Sequence, residues 1–494
     1  MIKDIFVKKN VETLLSENLS SKTQLRKALS RWELVALGVG CIIGAGIFTV
    51  IGTATAGTDF RIGAGPGIIV SFLITGLACS FSALCYAEFS SLIPISGSAY
   101  TYSYTVLGEI IAWIIGWDLI LEYNVAAISV SISWSAYVVS LLQSLGIKLP
   151  IWLSLDYKTF LHQISLNPSL VKEVPQFLGY MISLNLPAIF IISLITIIMV
   201  IGIKESSFVN SIIVITKLII LLFFVLIGIF FIKPINFNLP DYGFFPNGWN
   251  GVMVGGALIF FAYIGFDAIS TFAEETKNPQ KDLPFGIIGS LLICTIIYIV
   301  VSIVLIGIVP FTELGRADPI AYALRYINIE WASGIVSIGA IMATTSVILV
   351  LLLGQSRIFF SIARDGLMPS AFSKVHHKFK TPYLSSIITG CVIAFFAGFI
   401  NIGEAAELTN IGTLFAFIIV CISVIILKIK DPNRPRPFVT PLNPIIPALG
   451  VISCLYLALS LPLITWMRFI IWFIIGIVIY IFYGYKHSKV RKTI

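Results

Sequence analysis

An all-α integral membrane fold of twelve transmembrane helices is predicted for this sequence by three observations. Of 494 residues, 58% are hydrophobic and only 11% are charged, against about 25% charged in soluble domains. Mean hydropathy is +0.99. Apolar stretches of about 20 residues, enough to cross a hydrocarbon core, recur along the whole chain. Lys and Arg gather in alternate connecting segments, as the positive-inside rule requires of membrane proteins.

The apolar stretches run over residues 34–57, 66–93, 108–143, 184–203, 209–232, 249–272, 285–310, 331–358, 384–400, 407–428, 444–463 and 467–485. The third is long enough to be steeply tilted or extended, and the ninth is short. With the N-terminus inside, 23 Lys and Arg fall in inner segments and 8 in outer ones, and Lys217, deep within a span, completes the 32. Both termini are therefore expected in the cytoplasm, which an even span count requires. The largest polar insert, 144–183, joins the third and fourth spans outside. A Pro-rich connector, DPNRPRPFVTPLNP, runs from Asp431 to Pro444 before the last two spans.

The net charge of +8 does not indicate nucleic acid, because the basic residues form loop clusters and no stripe interleaved with exposed aromatics. The seven cysteines, Cys41, Cys79, Cys85, Cys294, Cys391, Cys421 and Cys454, are odd in number, lie in apolar stretches and form no C-x-x-C. They read as small buried hydrophobes, with no metal expected. All four histidines lie outside the apolar spans. With no H-E-x-x-H, G-x-S-x-G or P-loop, no enzyme constellation is visible, and there is no TVGYG filter. No cofactor is expected.

The first span carries Gly38, Gly40, Gly44, Gly46, Gly52 and Gly57 in GVGCIIGAGIFTVIGTATAG. Each interior glycine costs a helix about 1 kcal/mol relative to alanine. The sixth span is interrupted in the same way, by Gly255, Gly256 and Gly265 beside the acid Asp267 in GGALIFFAYIGFDAIS. Glycine content alone fits close helix packing as well as a site. The matched pair favours a site, since paired broken helices in the two halves of a transporter bracket its substrate. If spans 1–5 form one repeat and 6–10 another, the odd number of spans gives the two opposite orientations. A break lets half-helix N–H groups face an anion and half-helix carbonyls face a cation. An α-amino acid carries both charges on adjacent atoms.

Ionisable residues at membrane depth are costly and are functional candidates. Lys217 lies within VNSIIVITKLIILLFF, as either a buried cation or a snorkelling one. Asp267 follows the break at Gly265 and could exchange a proton or cap N–H groups. Asp118 and Glu122 share one face of the third span; Glu122 could meet a substrate or pair internally. Glu88 and Glu109 lie nearer span ends. Thr344, Thr345 and Ser346 on the eighth span are pocket or packing hydroxyls.

At these residues the sequence resembles a known family. GVGCIIGAGIF (38–48) is similar to the first helix of the amino acid–polyamine–organocation superfamily. FFAYIGFDAISTFAEETKNPQKDLP (260–284) resembles the sixth helix and following loop of its cationic amino acid transporters, bacterial members above all. So do the stretches 96–123, 354–369 and 436–450. The resemblance implies a LeuT-type fold: inverted repeats over 34–232 and 233–430, two further helices over 431–485, and cytoplasmic segments 1–33 and 486–494. It implies an inner-membrane permease that moves L-amino acids with protons by alternating access. An exchanger, or a sensor of the same fold that does not transport, are the alternatives. Carried over by position, Ile42, Gly44, Ala45 and Gly46 would hold the substrate with Phe261, Ala262 and Ile264, and Phe261 would gate the site. Ala45 stands where some members carry a hydroxyl, so backbone N–H groups alone would serve the carboxylate there. Lys217 would occupy the place of a sodium ion in sodium-coupled relatives and tie the fifth span to the broken first; with Asp267 it is the proton-coupling candidate. Expected partners are the amino acid, the proton and the lipid bilayer, with a small accessory membrane subunit left open.

Overall fold

The computed structural model describes residues 3–9, 29–58, 61–94, 98–168, 174–177, 180–201, 207–374, 376 and 381–492. Most of the expected N-terminal segment 1–33, and His377, lie outside these residues. Among them, nine helices are long and apolar enough to cross a membrane. Three shorter apolar helices, Leu186–Ile201, Tyr383–Ala397 and Ile445–Leu459, fall in the remaining apolar stretches.

The first helix, α1 (Arg31–Ile42), starts with a capping box: the Ser30 N–H donates to Glu33 Oε2 at 2.7 Å. It stops at Ile43, whose backbone is extended (φ −74°, ψ 102°). A π-helical turn, Gly46–Val50, and α2 (Ile51–Ala56) resume the path. Next come α3 (Ile68–Leu92), α4 (Ser98–Val106), α5 (Glu109–Ser144) and α6 (Tyr157–Leu166). At 1.5 Å per residue, the 36 residues of α5 span about 54 Å, far more than a hydrocarbon core of about 30 Å. The helix must tilt or protrude, as its long apolar stretch predicts. α4 falls between the second and third apolar stretches, in a segment expected as a connector, because its tyrosines and hydroxyls carry no clear apolar period.

The chain continues with α7 (Leu186–Ile201), α8 (Ser207–Gly228) and α9 (Gly248–Ile259). α9 tightens to a 3-10 turn at Phe260–Tyr263 and breaks at extended Ile264 (φ −60°, ψ 136°). Gly265 follows at φ +119°, a conformation that only glycine adopts without strain. A second 3-10 stretch covers Asp267–Glu275. The remainder is α10 (Pro279–Ile308), α11 (Pro319–Tyr326), α12 (Glu330–Arg364), α13 (Tyr383–Ala397), α14 (Ile402–Lys430), α15 (Ile445–Leu459) and α16 (Leu463–Ile479). Two antiparallel pairs of two-residue strands, Gly57–Thr58 with Arg61–Ile62 and Gln176–Phe177 with Tyr180–Met181, are the strands among the described residues.

α5 packs along α12 and α14, and α10 along α3 and α1. The broken segments are enclosed by these helices: Ile42, Ala45, Phe261 and Ala262 are all buried. α16 leaves Leu463, Met467, Ile470, Ile471 and Ile474 exposed, an apolar face of the kind that meets lipid or another protein. Five cysteines are buried, but Cys41 is half-buried and Cys391 is exposed on α13. The expectation of uniformly buried cysteines is corrected there: Cys391 belongs to an outward apolar face.

Both chain ends dock on one face of the bundle. The Glu109 N–H donates to the Val7 carbonyl at 3.0 Å, and Lys9 pairs with Asp365 at 2.6 Å. Arg491 pairs with Glu109, which also accepts from Tyr104 and Tyr480. On the same face Arg436 Nη1 meets Glu88 Oε1 at 2.7 Å with both side chains buried. The Arg436 Nη2 group donates to the carbonyls of Leu427 and Asp431, while Glu88 Oε2 accepts the Thr440 N–H. This cluster clamps the Pro-rich connector onto the end of α3. Removing one partner of a buried pair leaves the other charge uncompensated, at about 3–5 kcal/mol. Arg436→Ala is therefore expected to melt well below the parent protein in detergent, whereas substitution of Arg434, half-buried and in a longer pair with Asp431 at 3.7 Å, is expected to leave the transition in place.

Candidate functional site

The two helix breaks face each other across a cavity. Its walls take Ile42, Gly44, Ala45 and Gly46 from the first break and Phe261, Ile264, Gly265 and Asp267 from the second. α5 supplies Glu122, Tyr123, Ala126 and Val130, and α12 supplies Val347, Val350 and Leu351. Of the residues singled out in the sequence, the cavity thus collects Ile42, Gly44, Ala45, Gly46, Phe261, Ile264, Glu122 and Asp267. Ala262, Lys217, Thr345 and Ser346 lie outside its lining.

Close approach of the breaks depends on Gly46. A Cβ on Gly46 would lie 2.2 Å from Ala262 Cα, and one on Gly44 would lie 3.2 Å from Val347 Cγ2. Ala262 is therefore the residue on which the first break rests. Gly38 and Gly40 serve packing: a Cβ there would strike Ile269 and Ser290, or Val214.

The α12 wall follows helical periodicity. Val347, Val350 and Leu351 are spaced i, i+3, i+4 and share one face. Thr345 and Ser346 fall on other faces. Thr345 Oγ1 accepts from Trp134 Nε1 at 2.9 Å and donates to the Ile341 carbonyl, and Ser346 donates to the Ala343 carbonyl.

A broken helix leaves carbonyls without intrahelical donors, and three buried side chains meet them. Lys217 Nζ, on α8, donates to the Gly40 carbonyl at 2.7 Å and the Ile43 carbonyl at 3.2 Å. It is 1% exposed, so it is buried against the break and does not snorkel. Asn410 Nδ2, on α14, donates to the carbonyls of Ala257 and Leu258 at 2.7 and 3.0 Å. Tyr298 Oη, on α10, shares its one proton between the carbonyls of Ile42 and Ala262, at 2.9 and 2.8 Å. Asn410 and Tyr298 were missed in the sequence. Their only signal there is a polar group within an apolar span, and Asn410 carries no charge to mark it.

The N–H end of the break is treated differently. The first N–H groups of a half-helix as a rule have no intrahelical acceptor; here the Phe48 N–H already reaches the Gly44 carbonyl at 3.3 Å, and Gly44, Ala45 and Gly46 line the cavity. Asp267 Oδ1 accepts the Gly265 N–H at 3.2 Å, so it caps the second break while lining the cavity. Glu122 lies one helical turn past Asp118, whose two carboxyl oxygens are buried without a hydrogen-bond partner among the described residues. On the face away from the chain ends, the first broken helix is tied to α5. Thr49 Oγ1 and Ser133 Oγ are 2.5 Å apart, and Tyr137 Oη donates to the Phe48 carbonyl at 2.5 Å.

The cavity lies between two broken helices, its walls mostly apolar with the carboxyls of Glu122 and Asp267 among them, and no cluster of metal-ligating side chains occurs among the described residues. The sequence profile described as amino acid permease matches residues 29–485. The chain is 44% identical over 489 residues to the branched-chain amino acid permease BcaP of Bacillus subtilis (strain 168), covering 99% of each protein. It is also 44% identical over 488 residues to the methylthioribose transporter of the same organism, again covering 99% of each. The vacuolar cationic amino acid transporter 4 of Arabidopsis thaliana is 38% identical over 413 residues, 83% of this chain and 64% of that one. The protein is a multi-pass membrane transporter and no enzyme: the chain belongs to the amino acid permease family.

Proposed function

We propose that this permease carries L-amino acids with uncharged aliphatic side chains across the cell (inner) membrane with protons, by alternating access. The observation that carries the reading is the cavity at the paired helix breaks. The N–H groups of the turn at Gly46 would take the substrate carboxylate, and the carbonyl side of the second break, at Phe261, its ammonium. Ala126, Val130, Val347, Val350 and Leu351 would surround the side chain, and Phe261 would cover it. One relative's printed name, branched-chain amino acid permease, points to the same substrate class. A ribose ring would need several hydroxyl partners, and these walls offer few.

The proposed architecture has twelve spans, with LeuT-type inverted repeats over 34–232 and 233–430 followed by two further helices, and both termini in the cytoplasm. Its support is a correspondence across the repeats: Lys217 in the fifth stretch and Asn410 in the tenth each cap the carbonyl end of their own repeat's broken helix. Asp267 and Lys217 would couple the proton, each being bonded directly to a break whose rearrangement opens or closes the site.

The test is uptake of radiolabelled L-leucine into proteoliposomes under an inward proton gradient. Concentrative uptake that collapses with a protonophore supports the reading. Exchange alone identifies an antiporter, and binding without flux a sensor. A second reading, cationic substrates, is favoured by Glu122 on the cavity wall. Glu122→Gln is expected to change the leucine KM by less than about tenfold, because an aliphatic side chain makes no charge-assisted bond to it. A larger loss, or competition by lysine and arginine that disappears in the variant, would move the assignment to the cationic class.

A further inference from the structure

A second cavity adjoins the first and is larger, about 100 Å³ against about 50 Å³. Tyr123, Ala268 and Val350 line both, so the two meet at that seam. From there the second reaches toward the face where the chain ends dock, past Ser98 and Tyr100 of α4 and Ser361 of α12. Arg357 stands on its wall and is exposed.

No carboxylate pairs with Arg357 among the described residues. The nearby acids are occupied or turned elsewhere. Asp365 is bonded by Lys9 and Tyr100, and Glu122 and Asp267 line the other cavity. Most of the remaining wall is apolar, with Leu119, Phe272, Leu353 and Ile358, and Thr271 adds one hydroxyl. A guanidinium is a planar fork of donors that matches a carboxylate. Beside an apolar trough it suits a ligand with a carboxylate at one end and an aliphatic group at the other. The molecule that must cross this space, if the cavity at the breaks is the transport site, has that form.

We propose that this vestibule is a second amino acid subsite, in which Arg357 holds the carboxylate of a substrate passing between the central cavity and the terminal face. The proposal rests on the permease reading and adds a binding step on one side only. The carboxylate leaves the neutral N–H groups at Gly46 and gains a charged partner before it meets water. Tyr123 is the side chain at the seam: a Cβ on Gly354 would lie 2.5 Å from its Cε1, so the bare backbone of α12 there makes room for its ring.

Membrane vesicles of defined orientation test this directly. For Arg357→Gln, the L-leucine KM measured at the terminal face is expected to rise about tenfold, the loss of one charge-assisted hydrogen bond. The KM at the opposite face is expected to stay at its parent value, which also reports a correctly folded central site. Arg357→Lys, a cation without the fork, is expected to fall between. Equal KM values for parent and variant at the terminal face, or equal rises at both faces, overturn the subsite and leave the permease reading standing. Inhibition by inorganic phosphate that depends on Arg357, with leucine KM unchanged in the variant, marks a free-anion site and also overturns it. If parent vesicles take up no amino acid from either face, the permease reading fails and the subsite with it.

Discussion

Lys217→Met is expected to abolish amino acid uptake and to lower the melting temperature of the purified protein. The lysine lies at 1% exposure, and its Nζ bonds the carbonyls of Gly40 and Ile43. Those carbonyls exist as free acceptors only because α1 stops at Ile42. Methionine fills most of the same volume but donates nothing, so two buried carbonyls lose their partner. A hydrogen bond to a charged group contributes about 1.5–3 kcal/mol. Both are lost together, although the removal of a buried charge returns part of the cost of its desolvation. A net loss of about 3 kcal/mol is expected, seen as an earlier unfolding transition. The functional loss is expected to be larger than the destabilisation, because the same two carbonyls define the end of α1 on which the cavity wall is built. Counterflow of L-leucine at matched pH on both sides separates the roles. If Lys217→Met exchanges leucine at the parent rate but no longer concentrates it, the lysine serves coupling alone. If it neither exchanges nor shows leucine-dependent thermal stabilisation, the lysine is also part of the site's framework, which is the expected result.

The breaks were legible in the sequence, and the groups that satisfy them only partly so. Glycine is expensive in a helix, so Gly44, Gly46 and Gly265 mark themselves, and the need to satisfy backbone groups in lipid turns that mark into a cavity. Lys217 marks itself through its charge. Tyr298 and Asn410 do equivalent work with neutral groups that are ordinary in membrane helices, so composition cannot distinguish them from packing residues. The α12 wall shows a second limit. Thr345 and Ser346 were singled out for their hydroxyls, yet orientation around the helix decides what faces the cavity. Val347, Val350 and Leu351 occupy that face, and the hydroxyls bond within or across helices instead. Tyr123 carries no charge to set it apart beside Glu122, yet its ring lines both cavities.

Gly46→Ala and Gly44→Ala, two substitutions of the same kind two residues apart, are expected to differ sharply. At Gly46 an added Cβ would sit 2.2 Å from Ala262 Cα, 2.5 Å from Ala262 Cβ and 2.8 Å from Ala262 N. Two of these are backbone atoms, so no side-chain rotation relieves the clash. The half-helix starting at Gly46 must back away from the second break, and the N–H groups proposed to hold the carboxylate move with it. Overpacking of this kind costs about 1–3 kcal/mol in a well-packed core. If that cost falls on the bound geometry it weakens binding by roughly five- to more than a hundredfold, at 1.4 kcal/mol per tenfold. At Gly44 the nearest atom is Val347 Cγ2 at 3.2 Å, the tip of a side chain, and a shift of a few tenths of an ångström suffices. Gly44→Ala is expected to retain uptake with a KM raised by about tenfold, the lower end of what one added carbon costs in an apolar site. Leucine-dependent thermal stabilisation, measured alongside uptake, reads binding separately from flux. Ala262→Gly provides the discriminating control. It removes the contact at 2.5 Å and leaves Ala262 Cα and N in place, so it is expected to restore little to Gly46→Ala. Full restoration would mean that side-chain crowding, and not the approach of the two backbones, sets the geometry of the site.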